Sequence, residues 1–134
     1  MEYHFGVYAR ISAAGCILLV HKTRGPYTNL LDLPGGRPEP GESWPQTLER
    51  ELQEELGLRI TAPTDFTPFT LHVRESSAGE PINLHHHGVY ADVALPTALP
   101  TTSITSSDTA GSEWFNPTTD NHRRLSALAR EVLA

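Results

Sequence analysis

Three carboxylates, Glu51, Glu54 and Glu55, fall within one helical turn of the segment GRPEPGESWPQTLERELQEELGL, residues 36–58. At ~100° per residue their directions lie inside an arc of about 100°, so all three project from one face of a helix. Glu54 and Glu55 are expected to face metal and solvent rather than core. Hard oxygen donors at the edge of a Gly- and Pro-rich loop suit Mg²⁺, which keeps several waters and shares its shell with substrate phosphate. The same spacing also suits a plain solvated acidic helix. Glu51 and Glu55 are like charges at i,i+4, which costs an isolated helix roughly 0.2–0.5 kcal/mol. Arg50, four residues before Glu54, offsets part of that cost.

The flanking residues say how such a face would be held. Asp32-Leu33-Pro34-Gly35-Gly36 ends an apolar run in two glycines, which permit close approach of backbone to a ligand. Ser43 followed three residues later by Gln46 reads as a capping box, and Pro45 is tolerated in a first turn. The helix is therefore expected to start at Trp44 and to end at Gly57, a good residue for a left-handed stop. Leu48, Leu52 and Leu56 repeat every four residues beside the acidic face, giving the helix a side to bury.

Taken with their spacing, Gly36, Glu42, Arg50-Glu51-Leu52, Glu54-Glu55 and Gly57-Leu58 resemble the signature of the Nudix hydrolases, with every specified position matched. The upstream RGPY and LDLPGG stretches look like those of small members of that family. The resemblance implies an α/β chain with the Nudix fold, a mixed β-sheet sandwiched between α-helices with a catalytic loop-helix, residues 1–134 forming a single domain. It implies hydrolysis of a pyrophosphate bond in a nucleoside diphosphate linked to another moiety, with Mg²⁺, or Mn²⁺ in its place, held by the Gly36 carbonyl and Glu51, Glu54 and Glu55. Arg50, together with Glu42, would orient the carboxylates. Glu51 or Glu54 is expected to accept the proton of the attacking water, with Glu113, Asp108 and Glu80 as outside candidates. The alternative is a non-catalytic nucleotide-sensing module on the same fold. Loss of a metal carboxylate would mark it, and none is missing. No substrate-defining motif is evident around residues 73–76, so the substrate is not named by the sequence.

Composition bounds the rest. A chain of 134 residues suits one compact domain, and 38% hydrophobic with 19% charged residues is ordinary for a globular protein rich in loops, given 11 Pro and 10 Gly. A net charge of −6 argues against a broad nucleic-acid or anionic-lipid footprint. The expected partner is a small nucleotide-type molecule, with a homodimer allowed. Cys16 is the lone cysteine, inside the apolar run CILLV, where it reads as an inert buried thiol. No signal segment opens the chain and no apolar run approaches a membrane span, so a cytoplasmic protein is expected.

Residues 3–11, 15–21, 65–75 and 82–95 read as strands, with a short one at 58–62 and a brief apolar element at Trp114-Phe115. Residues 96–107 read as a loop and 121–133 as a helix. In the loop at 22–29, Arg24 and Tyr27 could meet a substrate phosphate or base, or form only a surface turn. In His85-His86-His87, strand alternation points the outer two one way and His86 the other, so the run cannot close three ligands on one ion. Sheet-surface or pocket-lining roles suit these histidines better.

Overall fold

The computed structural model describes residues 1–61, 63–97, 100, 104–106 and 108–133. Strands β1 (Glu2–Ala13) and β2 (Cys16–Lys22) form a hairpin through Ala14-Gly15, whose φ values of 51° and 79° give the two-residue turn that matches strand twist. Short strands β3 (Leu31–Asp32) and β4 (Gly35–Gly36) follow, then helix α1 (Trp44–Leu56), β5 (Thr67–Glu75), β6 (Pro81–Ala94), β7 (Thr109–Phe115) and helix α2 (Ala127–Leu133). The sheet is mixed, in the order β3-β2-β1-β6-β5, with β4 also paired to β1 and β7 to β2. β1 and β6 run parallel from Glu2↔Leu84 to Ser12↔Ala94, and the remaining pairs are antiparallel.

Strand alternation divides the core between two faces. Val7, Ala9 and Ile11 of β1, Leu18 of β2 and Val89, Ala91 and Val93 of β6 pack under α1 through Leu48 and Leu52. Tyr8 of β1, Ile17 and Leu19 of β2, and Leu84 of β6 point the other way, against Leu125, Leu128, Ala129 and Val132 around α2. The sheet is thus flanked by helices on both sides, as a period of 2 in the strands requires when both faces are apolar. Leu48 and Leu52 are fully buried, each contributing roughly 1.5–3 kcal/mol.

The capping box of α1 forms as read. Ser43 Oγ accepts from the Gln46 N–H, and the Gln46 side chain accepts from the Ser43 N–H. Gly57 closes the helix in the left-handed conformation, its N–H donating to Gln53.

Three expectations are corrected. Residues 58–61 are not strand; Leu58 and Ile60 instead pack against the core beneath α1, and Ala62 lies outside the described residues. Trp114-Phe115 is the end of a seven-residue strand, paired along β2 from Ile17↔Phe115 to Lys22↔Thr109. Ser and Gly in β7 hid it from a pattern based on apolar residues. The C-terminal helix is also shorter. A 3₁₀ turn at His122–Arg124 is capped by Asn121, Leu125 is extended, and Ser126 immediately precedes α2, its Oγ accepting from the Ala129 N–H while donating to buried Asp32 at 2.6 Å. Of the loop read at 96–107, residues 98, 99, 101–103 and 107 lie outside the described residues. Among the described residues no helix is long and apolar enough to cross a membrane.

Candidate active site

The carboxylates of α1 sit where the helix meets β4. The β4 glycines pair with Val7 and Tyr8, which sets this backbone directly over the acidic face of the helix. A Cβ built on Gly36 would lie 2.6 Å from Glu51 Oε1, a distance real side chains do not tolerate. A side chain at position 36 would therefore have to push the Glu51 carboxyl from its place beside Arg50.

Arg50 organises the cluster. Its Nε and Nη2 donate to the two oxygens of Glu42 at 2.7 and 3.0 Å, and its Nη1 donates to Glu51 at 2.9 Å and to Glu54 at 3.4 Å. Nη2 also donates to the Arg37 carbonyl at 3.1 Å, tying helix to loop. This fork holds the Glu42 carboxyl down at about 2, chiefly through the hydrogen bond from Arg50. Glu42 in turn accepts from Thr47 Oγ1 and from its own loop at the Glu39 N–H.

The three helix carboxylates do not share one environment. Glu54 is the outward one, its side chain 51% exposed, whereas that of Glu51 is 14% exposed. Glu55 corrects the expectation that it faces solvent: it is 2% exposed, and its Oε1 accepts the Gly35 N–H at 2.7 Å. The ~100° arc is wide enough for its inner edge to slide under β4. Burial pushes Glu51 up to about 7, against the downward pull of Arg50 and with Glu54 adding repulsion. Burial pushes Glu55 well above the usual range, opposed mainly by its bond from Gly35.

As donors these are all hard oxygens, and burial leaves two of the three carboxyl groups poorly hydrated. A small divalent cation fits that chemistry better than a soft metal. Among the described residues no three His, Cys, Asp or Glu side chains stand close enough to close on one ion. The reason is visible in the partners: Arg50 holds Glu51 and Glu54, while Glu55 is turned to the Gly35 N–H.

Gly36, Arg50, Glu51 and Glu54 line one wall of a cleft of about 1500 Å³, above the usual span for small-molecule sites and so roomy enough for a nucleotide-sized ligand. Arg24 and Tyr27 line the same cleft, together with Glu80, Asp108 and Lys22. Lys22 Nζ donates to Asp108 at 3.0 Å. Glu113 stands apart. It is not among the described residues lining the cleft, and both its oxygens accept from Arg124, at 2.7 and 2.8 Å, which holds its carboxyl below the usual range.

The pocket-lining role read for the histidine run falls to His86, and sequence reading missed the residues that join it there, His4 and Tyr8. His4, Tyr8 and His86 also line the cleft, and His86 is 2% exposed, with its ring edge-on to Tyr8 and Phe69. The only local signal was that strand alternation turns His86 away from its two neighbours. Its meeting with His4 depends on the parallel register of β1 and β6.

The NUDIX domain model matches residues 2–134. No curated protein matches the chain. Among solved structures, the MutT NUDIX hydrolase from Burkholderia pseudomallei is similar at 23% identity, over 99% of this chain and 97% of that one, with a TM-score of 0.65. The E. coli ORF135 protein is 25% identical over 99% of this chain and 87% of that one, with a TM-score of 0.63. The E. coli dihydroneopterin triphosphate pyrophosphohydrolase is 18% identical over 99% of each chain, with a TM-score of 0.60.

Proposed function

Since this chain belongs to the NUDIX domain family, we propose that its pyrophosphohydrolase activity on a nucleotide-linked substrate resides in the cleft between α1 and the Arg24–Tyr27 wall. The family is typically Mg²⁺-dependent. In this reading Glu51, Glu54, Glu55 and the Gly36 carbonyl hold Mg²⁺, or Mn²⁺ in its place. When bound, the cation polarises phosphoryl oxygens and lowers the pKa of the attacking water.

The remaining work belongs to the chain's own groups. Water attacks phosphorus, an O–P bond forms as the bridging P–O bond breaks, and a carboxylate takes the proton. Glu51 is the first choice for that acceptor, since Arg50 fixes its carboxylate at the cleft wall within reach of a water bound there. Glu54 is the second. Arg50 fixes both, and its fork onto Glu42 keeps the guanidinium from swinging into the substrate's place. Arg24 and Tyr27 bind the far part of the substrate, and Glu113 serves structure through Arg124. We place residues 1–134 in one working domain, acting in the cytoplasm on a small nucleotide-type molecule, with homodimer formation allowed.

The single observation that carries the reading is the Arg50 bridge from Glu42 to Glu51 at the cleft wall. The test is a panel of nucleoside triphosphates, dinucleoside polyphosphates, nucleotide sugars and ADP-ribose with Mg²⁺. Turnover of at least one member that disappears in Glu51→Gln supports the site. Turnover of none counts against it, as does full activity of the variant.

A further inference from the structure

A continuous run of hydrogen bonds crosses the cleft wall away from the helix carboxylates. Arg37 Nη2 lies 3.0 Å from His4 Nδ1. His4 Nε2 lies 3.3 Å from the Tyr8 hydroxyl, which lies 2.9 Å from His86 Nε2. His86 Nδ1 lies 2.8 Å from the Tyr27 hydroxyl. Gly6 is part of this construction, since a Cβ there would stand 2.4 Å from the Tyr8 hydroxyl oxygen.

The direction of the run follows from what each group can do. A guanidinium only donates, so His4 Nδ1 must accept. Both imidazoles are neutral, burial taking His4 down to about 4 and His86 down to about 3, so each carries one N–H. His4 therefore holds its hydrogen on Nε2 and gives it to Tyr8. The Tyr8 hydrogen then goes to His86 Nε2, the nearest acceptor it has. His86 holds its own on Nδ1 and gives it to Tyr27. Arg37, His4, Tyr8, His86 and Tyr27 bring one hydrogen each to a run with one bond fewer than its members. One hydrogen is left over, on the Tyr27 hydroxyl.

Tyr27 is 5% exposed and lines the cleft, where Pro26, Ile82 and Leu84 also line it. Its ring belongs to the same apolar cluster as Leu84 and Ile82. We propose that Tyr27 is a specificity-determining residue whose hydroxyl hydrogen donates to a ring nitrogen or carbonyl oxygen of the substrate's uncharged nucleobase. The inference rests on the nucleotide pyrophosphohydrolase reading above. Tyr27 ends the run on the side away from the Arg37 charge, and one donor beside Pro26, Ile82 and Leu84 suits a flat ring that bears an acceptor. Arg37 and His4 are positioning residues here, since they fix the tautomers through which Tyr27 is aimed.

Two measurements on the full chain decide it. Long-range ¹H–¹⁵N correlation on the ¹⁵N-labelled protein reads the histidine tautomers directly. His4 should be the Nε2–H form and His86 the Nδ1–H form; a Nε2–H form at His86 moves the spare hydrogen off Tyr27 and overturns the proposal. In kinetics, Tyr27→Phe should raise KM about tenfold for the best-hydrolysed nucleotide of the panel. Binding of inorganic tripolyphosphate with Mg²⁺, followed by calorimetry, should stay within about twofold of wild type. Equal losses for both ligands, or an unchanged nucleotide KM, overturn the assignment. Should Tyr27→Phe not fold, the tautomer measurement on wild type still stands. If wild type turns over no nucleotide, the parent reading fails instead, while the tautomers still decide the direction of the run.

Discussion

Gly36 and Glu51 face each other so closely that the space of a single methyl group separates a working arrangement from a clash: a Cβ at Gly36 would stand 2.6 Å from Glu51 Oε1 and 2.8 Å from its Cδ. Glu51 is held on its other side by Arg50, so it has little freedom to yield. Gly36→Ala is expected to lower kcat roughly 10²-fold, the scale of misplacing a reacting group by about 1 Å. The melting temperature should fall only by what moving Glu51 aside costs, because Gly36 needs no left-handed backbone. Steady-state kinetics beside a thermal melt checks both parts, and a variant with wild-type kcat would remove Glu51 from the chemistry.

Glu54→Gln is expected to cost kcat about 10²-fold or more without loss of stability, since the side chain is outward and its ion pair within the helix is the long one to Arg50. Glu55→Gln is different. Its carboxyl is buried, and although the amide oxygen of glutamine can keep the bond from the Gly35 N–H, the new NH₂ becomes a buried donor that costs roughly 1–3 kcal/mol without a partner. Thermal melts of the two variants in the absence of metal should therefore separate them.

The proton acceptor can be located with Glu51→Gln, Glu54→Gln and Glu113→Gln at saturating Mg²⁺. Loss of the base should flatten the acidic limb of the kcat profile and lower its plateau, whereas loss of a metal ligand alone should be partly rescued by more metal. The expected outcome is a flattened limb for Glu51→Gln and near-wild-type kinetics for Glu113→Gln. The reverse pattern would place the base on β7.

Arg50→Lys keeps a positive charge at α1 but cannot bridge Glu42 and Glu51, because an ammonium is a point donor and the guanidinium is a fork. A fall of at least tenfold in kcat/KM is expected, with partial loss of thermal stability. Recovery of full activity with lysine would mean that charge alone, rather than the bridge, orients the carboxylates.

His86 gives a pH signature in stability. Its folded pKa, about 3, lies below the ordinary 6.5, so between those values the unfolded chain binds a proton that the folded chain does not. The contribution of this buried neutral ring is whole above pH 6.5 and is lost as the pH falls toward 3, approaching ~1.4 kcal/mol per pH unit. Glu51 has the opposite sign, its raised pKa favouring the fold at low pH and losing that effect as the pH rises through about 7. It is common to wild type and His86→Phe, so the difference between the two isolates the histidine. Denaturant unfolding from pH 7 to pH 4 should show the stability gap shrinking with acid. A gap that stays constant would mean His86 titrates normally.

The sequence by itself determined what local spacing controls. The capped helix from Trp44, the left-handed stop at Gly57, the Leu48–Leu52 stripe and the clustering of Glu51, Glu54 and Glu55 follow from a 3.6-residue period and side chains that bond within a few positions. Strand alternation likewise set His86 apart from His85 and His87. Tertiary structure decided everything that depends on register between distant segments. That Glu55 lies under β4 while Glu54 stays outside is a matter of where residues 35 and 36 pair with Val7 and Tyr8. That Glu113 bonds Arg124 rather than facing the cleft depends on β7 pairing with β2 along Leu19↔Glu113. The run from Arg37 to Tyr27 exists only because β1 and β6 lie parallel with His4 opposite His86, a contact 82 positions apart in a chain whose local pattern holds no trace of it.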